Sequence, residues 1–209
     1  MGRVSRTATN IIVALTALAW IVALLLGQSM QADYALGFLP IRVFVPAVPF
    51  PAAPVWLTPL TATLVHSNLV HIGFNLLILL WCGSQVERVL GATGLIVLYL
   101  VGAYAAAAAQ WSVEPHATVP MIGASGAISA VIGAYALSFG RARPVTSNLA
   151  ANRWLNAIWL MVAWAVLQAM MGWLGNQQGY LLATPAHVGG FAAGLLLQRP
   201  LLLWKYRKA

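Results

Sequence analysis

Six long apolar runs, separated by shorter polar stretches, dominate the pattern of this chain. They cover Asn10–Gly27, Leu64–Cys82, Gly94–Trp111, Ser125–Phe139, Trp154–Trp173 and Pro185–Gln198, the last with a continuation to Trp204. About 20 helical residues cross the roughly 30 Å hydrocarbon core of a bilayer. The pattern therefore predicts an all-α, polytopic membrane protein with six transmembrane helices, organised as a single domain over residues 1–209.

The composition indicates a protein that is solvated by lipid. Apolar residues make up 61% of the chain and charged residues only 7%, whereas soluble domains carry about 25% charged residues. The net charge of +8 would suggest nucleic acid in a soluble protein, but in a membrane protein it reports orientation. The single cysteine, Cys82, excludes an internal disulfide and a thiol-based metal cluster.

Basic residues predict the orientation of the six helices, numbered here as runs 1 to 6. All of the 11 basic residues except Arg42 fall on one side: Arg3, Arg6, Arg88, Arg141, Arg143, Arg153, Arg199, Lys205, Arg207 and Lys208. Positive loops remain in the cytoplasm, so both termini are expected there, and runs 2, 4 and 6 begin at the outer face. Run 1 could be a cleavable signal peptide, but its apolar stretch of about 17 residues favours a retained helix.

The outer segment between runs 1 and 2, Gln28 to Thr63, is rich in proline and yet apolar. Six prolines between residues 40 and 59 exclude one continuous helix. Apolar residues throughout the segment do not suit a solvated loop, and irregular backbone cannot face lipid with its polar groups unsatisfied. We expect a membrane-associated loop that packs against protein.

Run 4 is short and begins with a serine among small residues, Gly123-Ala124-Ser125-Gly126. Fifteen residues make about 22 Å of helix, less than the roughly 30 Å that a span needs. If its inner end reaches the interface, Ser125 lies below the outer surface. Small residues in membrane helices usually serve close packing, so the motif alone is a weak sign of chemistry.

Run 2 carries polar side chains inside an apolar span, where they are costly and usually face a bundle interior or a cavity. At about 100° per residue, His71 and Asn75 share one helix face and His66 lies about 140° from His71. This spacing, with no HExxH sequence, argues against a metal site. An interhelical hydrogen-bond pair is the structural alternative for His71 and Asn75.

The polar residues of runs 2, 4 and 6 predict one chemistry when they are combined. Ser125 begins run 4 and His187 lies in the first turn of run 6, after Thr184 as N-cap and Pro185 as first helical residue. A neutral imidazole near a serine hydroxyl can take its proton as the serine attacks a carbonyl. Asp33 lies in the outer loop and Glu87 on the inner side, so a Ser–His dyad without an acid is the economical hypothesis.

Further groups complete this hypothesis. The Ser125 N–H, His71 and Asn75 could donate to an oxyanion, and the polar side chains of Ser129, Asn68 and His66 could retain water. Small residues on two helices allow the approach of runs 4 and 6; they are Gly126, Ala130 and Gly133 on run 4 and Gly190 and Gly194 on run 6.

In these features the chain resembles the rhomboid family of intramembrane serine proteases. Three motifs carry the resemblance: His66-x4-His71-x3-Asn75, the GASG around Ser125, and Ala186-His187-x-x-Gly190-x-x-x-Gly194. The resemblance implies a six-helix bundle, Ser125 as nucleophile, His187 as base, and His71, Asn75 and the Ser125 amide as oxyanion hole. His66, Gly123, Gly126, Gly190 and Gly194 are supporting residues, and no metal or cofactor is implied.

The resemblance also implies a setting for the reaction. Substrates would be transmembrane proteins, cleaved near the outer face of a bilayer that is the bacterial inner membrane; no nucleic acid and no oligomeric state are predicted. Two positions depart from the family pattern. Trp56-Leu57 lacks the arginine of a Trp-Arg pair, and Ser129 stands where some members carry an aromatic residue against the catalytic histidine.

Other assignments remain to be compared with the structure. Glu87, in the turn of residues 83–88, is expected to tie that turn to a helix end. Run 5 is expected to face lipid or act as a gate, and the polar loop of residues 175–179 to be a lid. The competing functions are an inactive relative that binds transmembrane helices, which loss of Ser125 or His187 would mark, and a six-helix transporter, which would show repeats and midplane charges.

Overall fold

The regular structure is helical throughout the described part of the chain. The computed structural model describes residues 7–139, 145–175 and 183–207. Its α-helices are α1 (Thr7–Leu25), α2 (Ser29–Leu36), α3 (Thr58–Thr61), α4 (Leu69–Ile78), α5 (Ser84–Val113), α6 (Ser125–Phe139), α7 (Leu149–Gly175) and α8 (Thr184–Tyr206). Short 3-10 helices lie at Pro40–Val43 and Ala62–Leu64, and a π-helical segment at Leu79–Gly83 joins α4 to α5. The predicted all-α class is confirmed.

Two helical stretches among the described residues are long and apolar enough to cross a membrane. One is α1, and the other is the continuous stretch Leu69–Val113. The apolar helix α6 is shorter, at 15 residues. The count of six spans and the placement of both termini therefore stay predictions. Five of the basic residues used to predict the orientation lie outside the described residues: Arg3, Arg6, Arg141, Arg143 and Lys208. Residues 176–179 of the expected lid also lie outside them.

Helix α6 is the centre of the bundle, and its bounds are those that the pattern predicts. It packs against α5, α7 and α8. Ile128, Val131 and Ala134 are completely buried, and the first ten residues of the helix are all buried. Alanine, glycine and serine on most of its faces let neighbouring backbones approach. Ser125, the first residue of this helix, is therefore buried inside the protein.

Helix α8 touches α6 backbone to backbone. A Cβ atom added at Gly190 would overlap the carbonyl oxygen of Gly126, and one at Gly194 would overlap that of Ala130. The same contact is seen from α6, where a Cβ at Gly133 would overlap the carbonyl oxygen of Phe191 in α8. Because only glycine leaves room at these positions, the predicted close approach of the two helices is observed.

The helix of run 2 begins later than the apolar pattern suggests. The prediction was Leu64, whereas α4 begins at Leu69. Asn68 has extended backbone angles, and its side chain accepts the N–H of His71 at 2.9 Å, which makes it the N-cap. His66 thus precedes the helix, and the helical angle between His66 and His71 used above was wrong.

The inner turn and run 3 form more helix than expected. Residues 83–88 were predicted as a turn and Gly94 as a helix start, but α5 begins at Ser84. A break at Gly91, with φ of +79°, divides α5 into two helical pieces. Glycine adopts this positive φ without the steric cost of a side chain, so the chain can kink between the two helical pieces at this position.

Glu87 has the structural role that was predicted for it. Its buried carboxylate accepts the backbone N–H groups of Ala8 at 3.0 Å and Thr9 at 2.9 Å, together with the Thr9 hydroxyl at 2.7 Å. These N–H groups belong to the first turn of α1, where no intrahelical partner exists and negative charge is favourable. Glu87 therefore fixes the start of α1 to α5.

The outer segment packs against the body of the protein, as its composition predicts. Phe38 and Leu39 are buried, and Phe38 exchanges two backbone hydrogen bonds with Met121, at 3.0 and 2.8 Å. The buried Arg42 donates to the carbonyl oxygens of Ala53 at 3.0 Å and Pro46 at 3.5 Å. An arginine outside the expected Trp-Arg register thus holds this loop together.

The last two helices are longer than predicted. Helix α7 begins at Leu149, ahead of the expected Trp154. Helix α8 already includes Thr184, preceded by Ala183, so Thr184 is its first residue and not its N-cap. It also continues through Pro200 to Tyr206, so the continuation of run 6 from Gln198 to Trp204 is observed. Boundaries shift by a residue or two between criteria, which covers the difference between Trp204 and Tyr206.

Replacing Glu87 by glutamine should destabilise the protein. The amide keeps the shape but loses the charge that accepts three hydrogen bonds, and bonds to charged groups contribute about 1.5–3 kcal/mol each. We expect the melting temperature of the purified protein in detergent to fall by about 5 °C. Glu114→Gln is the control, because that carboxylate accepts from Gln110. Equal melting temperatures for the Glu87 variant and the wild type would contradict the assigned role.

Replacing Gly194 by alanine should also destabilise the fold. The new methyl group meets the backbone of Ala130, which cannot move aside as a side chain can, and overpacking costs about 1–3 kcal/mol. Gly73→Ala is the matched control, since a Cβ there meets nothing within 4 Å. Thermal unfolding should separate the two variants. A Gly194 variant as stable as the Gly73 variant would show that α6 and α8 are not in backbone contact.

Candidate active site

Ser125 and His187 lie within hydrogen-bond distance inside the protein. The distance between Ser125 Oγ and His187 Nε2 is 2.8 Å, and each residue is only 6% exposed. Ser125 is the first residue of α6, and His187 lies in the first turn of α8. The backbone contact of these two helices brings together residues that are 62 positions apart. This is the spacing in which an imidazole can take a hydroxyl proton.

No carboxylate of the described residues orients the imidazole of His187. The three acidic residues are Asp33, Glu87 and Glu114. Glu87 binds the start of α1, Glu114 accepts from Gln110, and Asp33 is buried in α2. Nδ1 of His187 is buried without a hydrogen-bond partner among the described residues. Ser125 and His187 are therefore paired without an acidic side chain beside the imidazole in the described part of the chain.

His71 faces the loop that leads into Ser125. Gly123 has φ of +102°, and a Cβ added there would lie 2.6 Å from Nε2 of His71. Nδ1 of His71 is 3.2 Å from the hydroxyl of Ser67. A neutral ring that accepts this hydroxyl at Nδ1 carries its proton on Nε2, the atom that faces the loop. His71 can therefore donate a hydrogen bond beside Ser125.

Asn75 lies one helical turn after His71 and is buried. Its Nδ2 donates to the carbonyl oxygen of His71 at 3.0 Å, while Oδ1 has no partner among the described residues. This bond lies within α4, so it is not the interhelical bond that the structural alternative predicted. The amide nitrogen carries two hydrogens, so one remains for another acceptor.

His66 supports the same loop from the other side. Its Nε2 accepts the N–H of Ala124 at 3.3 Å, and its carbonyl oxygen accepts the indole N–H of Trp20 at 3.0 Å. Its ring packs edge-on against His71, with centroids 4.9 Å apart. The sequence argument placed the two rings on different helix faces, and the late start of α4 explains the error.

The side chains expected to retain water make protein hydrogen bonds. Ser129 donates to the carbonyl oxygen of Ser125 at 2.7 Å, Asn68 caps α4, and His66 accepts from Ala124. Among the described residues there is no group of three or more histidine, cysteine, aspartate or glutamate side chains that could hold a metal ion. These three side chains therefore bond to protein backbone, Ser129 and His66 at the start of α6 and Asn68 at the start of α4.

Two residues of α7 contact the site, although run 5 was expected to face lipid or act as a gate. Trp164 is 6% exposed, and its indole N–H donates to the Ser129 hydroxyl at 2.7 Å. Nε2 of Gln168 is 3.2 Å from Nε2 of His187. Gln168 interrupts an apolar run, and a polar residue at such a position is a sign of function that the sequence offered. Trp164 gave no such sign, because other tryptophans of the run, such as Trp159, face outward.

The comparisons with known proteins identify the family. The family model for the rhomboid domain matches residues 54–204. The chain is 33% identical over 135 residues to the rhomboid protease GlpG of Pectobacterium atrosepticum, which covers 64% of this chain and 44% of that protein. It is 30% identical over 133 residues to GlpG of Yersinia pestis, with the same two coverages of 64% and 44%.

A further relative is the rhomboid protease GluP of Bacillus subtilis, 34% identical over 79 residues, or 38% of this chain and 15% of that protein. The matched part is thus less than half the length of each of these relatives. The family model, by contrast, covers more than half of this chain and includes Ser125, His187, His71 and Asn75. The chain belongs to the rhomboid family.

Proposed function

We propose that this protein is an intramembrane serine endopeptidase that cleaves transmembrane segments of other membrane proteins. The observation that carries the proposal is the 2.8 Å distance between Ser125 Oγ and His187 Nε2 in a buried site. The relatives named above are rhomboid proteases, and membership of their family favours the same class of reaction. Both residues of the dyad are present, which disfavours an inactive relative.

The reaction follows from the positions of these two groups. His187 Nε2 takes the hydroxyl proton as Ser125 Oγ attacks the carbonyl carbon of the scissile peptide bond. The imidazolium then gives this proton to the leaving amide nitrogen, and an ester between Ser125 and the substrate remains. A water molecule, deprotonated by the same imidazole, attacks the ester carbon; the bond to Ser125 Oγ breaks, the imidazolium returns the proton to that oxygen, and the second product leaves as a carboxylic acid.

The oxyanion that forms in each step needs hydrogen-bond donors that are already in place. His71 Nε2 faces Gly123, two residues before Ser125, and Asn75 retains one amide hydrogen. The N–H of Ser125 belongs to the first turn of α6, where it has no helical partner and the helix dipole favours negative charge. These three groups are the proposed oxyanion hole.

The setting of the reaction is a bilayer. A single domain over residues 1–209 would cross it six times. Both termini would lie in the cytoplasm, because the basic residues cluster on that side. Helix α6 has 15 residues, which is shorter than a full span, so Ser125 lies below the outer face. In a bacterium this bilayer is the inner membrane, and substrates are transmembrane proteins cleaved near its outer side.

Replacing Ser125 by alanine should abolish the activity. A fluorophosphonate probe labels activated serines, so wild-type protein in detergent should be labelled and Ser125→Ala should not. Cleavage of a model transmembrane substrate should disappear in Ser125→Ala and in His187→Ala. The matched control is Ser138→Ala. This variant removes another hydroxyl of α6, one that donates to the carbonyl oxygen of Ala134 in the same helix. Cleavage that persists without Ser125 would exclude the dyad.

Replacing His71 or Asn75 by alanine should slow turnover more than it disturbs folding. Loss of one oxyanion donor lowers kcat by about 10²–10³-fold. The measurement is kcat and KM on the model substrate, together with the melting temperature of each variant. His116→Ala and Asn10→Ala are controls, since His116 stacks on Phe44 in the outer region and Asn10 is exposed on α1. An unchanged kcat for either variant would remove that residue from the oxyanion hole.

A further inference from the structure

The imidazole of His187 needs to be held in one orientation and one tautomer. A base that accepts from Ser125 at Nε2 must carry its own proton on Nδ1. In triads an acid bound to Nδ1 imposes this state. Here the three carboxylates lie elsewhere, and Nδ1 has no partner within the described chain. Contacts on the remaining parts of the ring therefore have to supply the orientation.

Trp164 of α7 packs against that ring. The centroids of the indole and the imidazole are 6.3 Å apart, and the two planes meet at 72°, which is an edge-to-face contact. The indole N–H donates to Ser129 Oγ at 2.7 Å, and Ser129 Oγ donates to the carbonyl oxygen of Ser125 at 2.7 Å. The tryptophan is thereby fixed to the backbone of the nucleophile itself. A buried indole with its N–H satisfied forms one wall for the imidazole.

Gln168 lies one turn after Trp164, on the same face of α7. Its amide nitrogen is 3.2 Å from His187 Nε2, while the hydroxyl of Ser125 is 2.8 Å from the same atom. The hydroxyl can donate or accept, but the amide nitrogen can only donate, so the amide requires a lone pair on Nε2. Its contact therefore favours the tautomer whose proton is on Nδ1. This is the tautomer that acts as a base.

We infer that Trp164 and Gln168 are positioning residues for His187, and that α7 forms a third side of the active site beside α6 and α8. Trp164, tied through Ser129 to the backbone of Ser125, holds the orientation of the ring. Gln168 holds its tautomer from the Nε2 side, in place of an acid at Nδ1. The inference rests on the proposed function, because it explains how the Ser–His dyad is kept competent.

Trp164→Leu and Gln168→Met test the inference on the full chain in detergent. The first removes the aromatic wall, and the second replaces the amide by an apolar side chain of similar length. Misplacement of a catalytic group by about 1 Å costs up to 10²-fold, so kcat and the rate of fluorophosphonate labelling at Ser125 should each fall by about ten- to a hundredfold. KM should stay near the wild-type value, since the contacts are made to the base and not to the substrate.

Matched controls separate positioning from general packing. Trp159→Leu removes a tryptophan from the same helix, but one that is 64% exposed. Gln198→Met removes an amide that bonds Ser138 at 3.1 Å on another part of α8. Both controls should keep wild-type labelling and kcat. Melting temperatures of all variants show whether a loss of rate merely follows a loss of folded protein.

Two milder variants test the pair of hydrogen bonds that connects Trp164 through Ser129 to the carbonyl oxygen of Ser125, called the relay here. Trp164→Phe keeps a ring against His187 but loses the N–H, and Ser129→Ala removes the group that accepts it. Each should lower the labelling rate less than Trp164→Leu does. Because both remove the same relay, the double variant should be no slower than the slower single variant. These variants decide the role of Trp164 even if Trp164→Leu does not fold.

The outcomes are distinct. Lower kcat and labelling in the Trp164 and Gln168 variants, with controls and melting temperatures unchanged, supports the inference. Wild-type rates in these variants overturn it, as does a loss that the controls share or that tracks the melting temperature. Additive losses in the double variant overturn the relay through Ser129. Wild-type protein that is not labelled at Ser125 overturns the proposed function itself, and this inference with it.

Discussion

Backbone contact between α6 and α8 brings Ser125 and His187 together. Gly190 and Gly194 meet the carbonyl oxygens of Gly126 and Ala130, with no side chain between them. Because His187 precedes Gly190 by one turn, this contact carries its imidazole to the first turn of α6, where Ser125 begins the helix. A methyl group at the contact would separate the two helices, and the 2.8 Å bond of the dyad would be lost with them. Packing and chemistry depend on the same glycines.

Ser125 also depends on the irregular backbone that precedes it. Gly123 turns with a positive φ that leaves room for the His71 ring, and His66 accepts the next N–H. Further upstream, Met121 pairs with Phe38 of the outer segment, and the N–H of Gly123 donates to Ala62 at 2.9 Å. Irregular backbone inside a membrane protein has to satisfy its polar groups within the protein. The outer segment and His66 provide those partners, so they contribute to placing the nucleophile.

Local patterns in the sequence were sufficient for the centre of the bundle. The small, apolar run of α6 gave both of its bounds, and the spacing of Gly190 and Gly194 gave its contact with α8. The late start of α4 was missed because the apolar run was read through His66, Ser67 and Asn68, although asparagine is a preferred N-cap residue and its bond to the N–H of His71 begins the helix. The roles of residues in α7 were missed for a related reason. Which of several tryptophans faces inward is decided by tertiary packing, and periodicity is uninformative in a helix that is apolar on all sides.

Three buried polar atoms of the candidate site and its supporting residues have no partner among the described residues: His187 Nδ1, His66 Nδ1 and Asn75 Oδ1. Each such atom costs about 1–3 kcal/mol relative to a satisfied one, so a fold selected for stability alone would lose them. An apolar replacement would remove this cost. At His187 it would also remove the base, at His66 the acceptor of the Ala124 N–H, and at Asn75 the amide beside His71. Functional sites commonly keep such a cost, and the surrounding structure offsets it. Here the close packing of α6 against α8 supplies part of that compensation, because the first ten residues of α6 are buried and glycines let the two backbones touch.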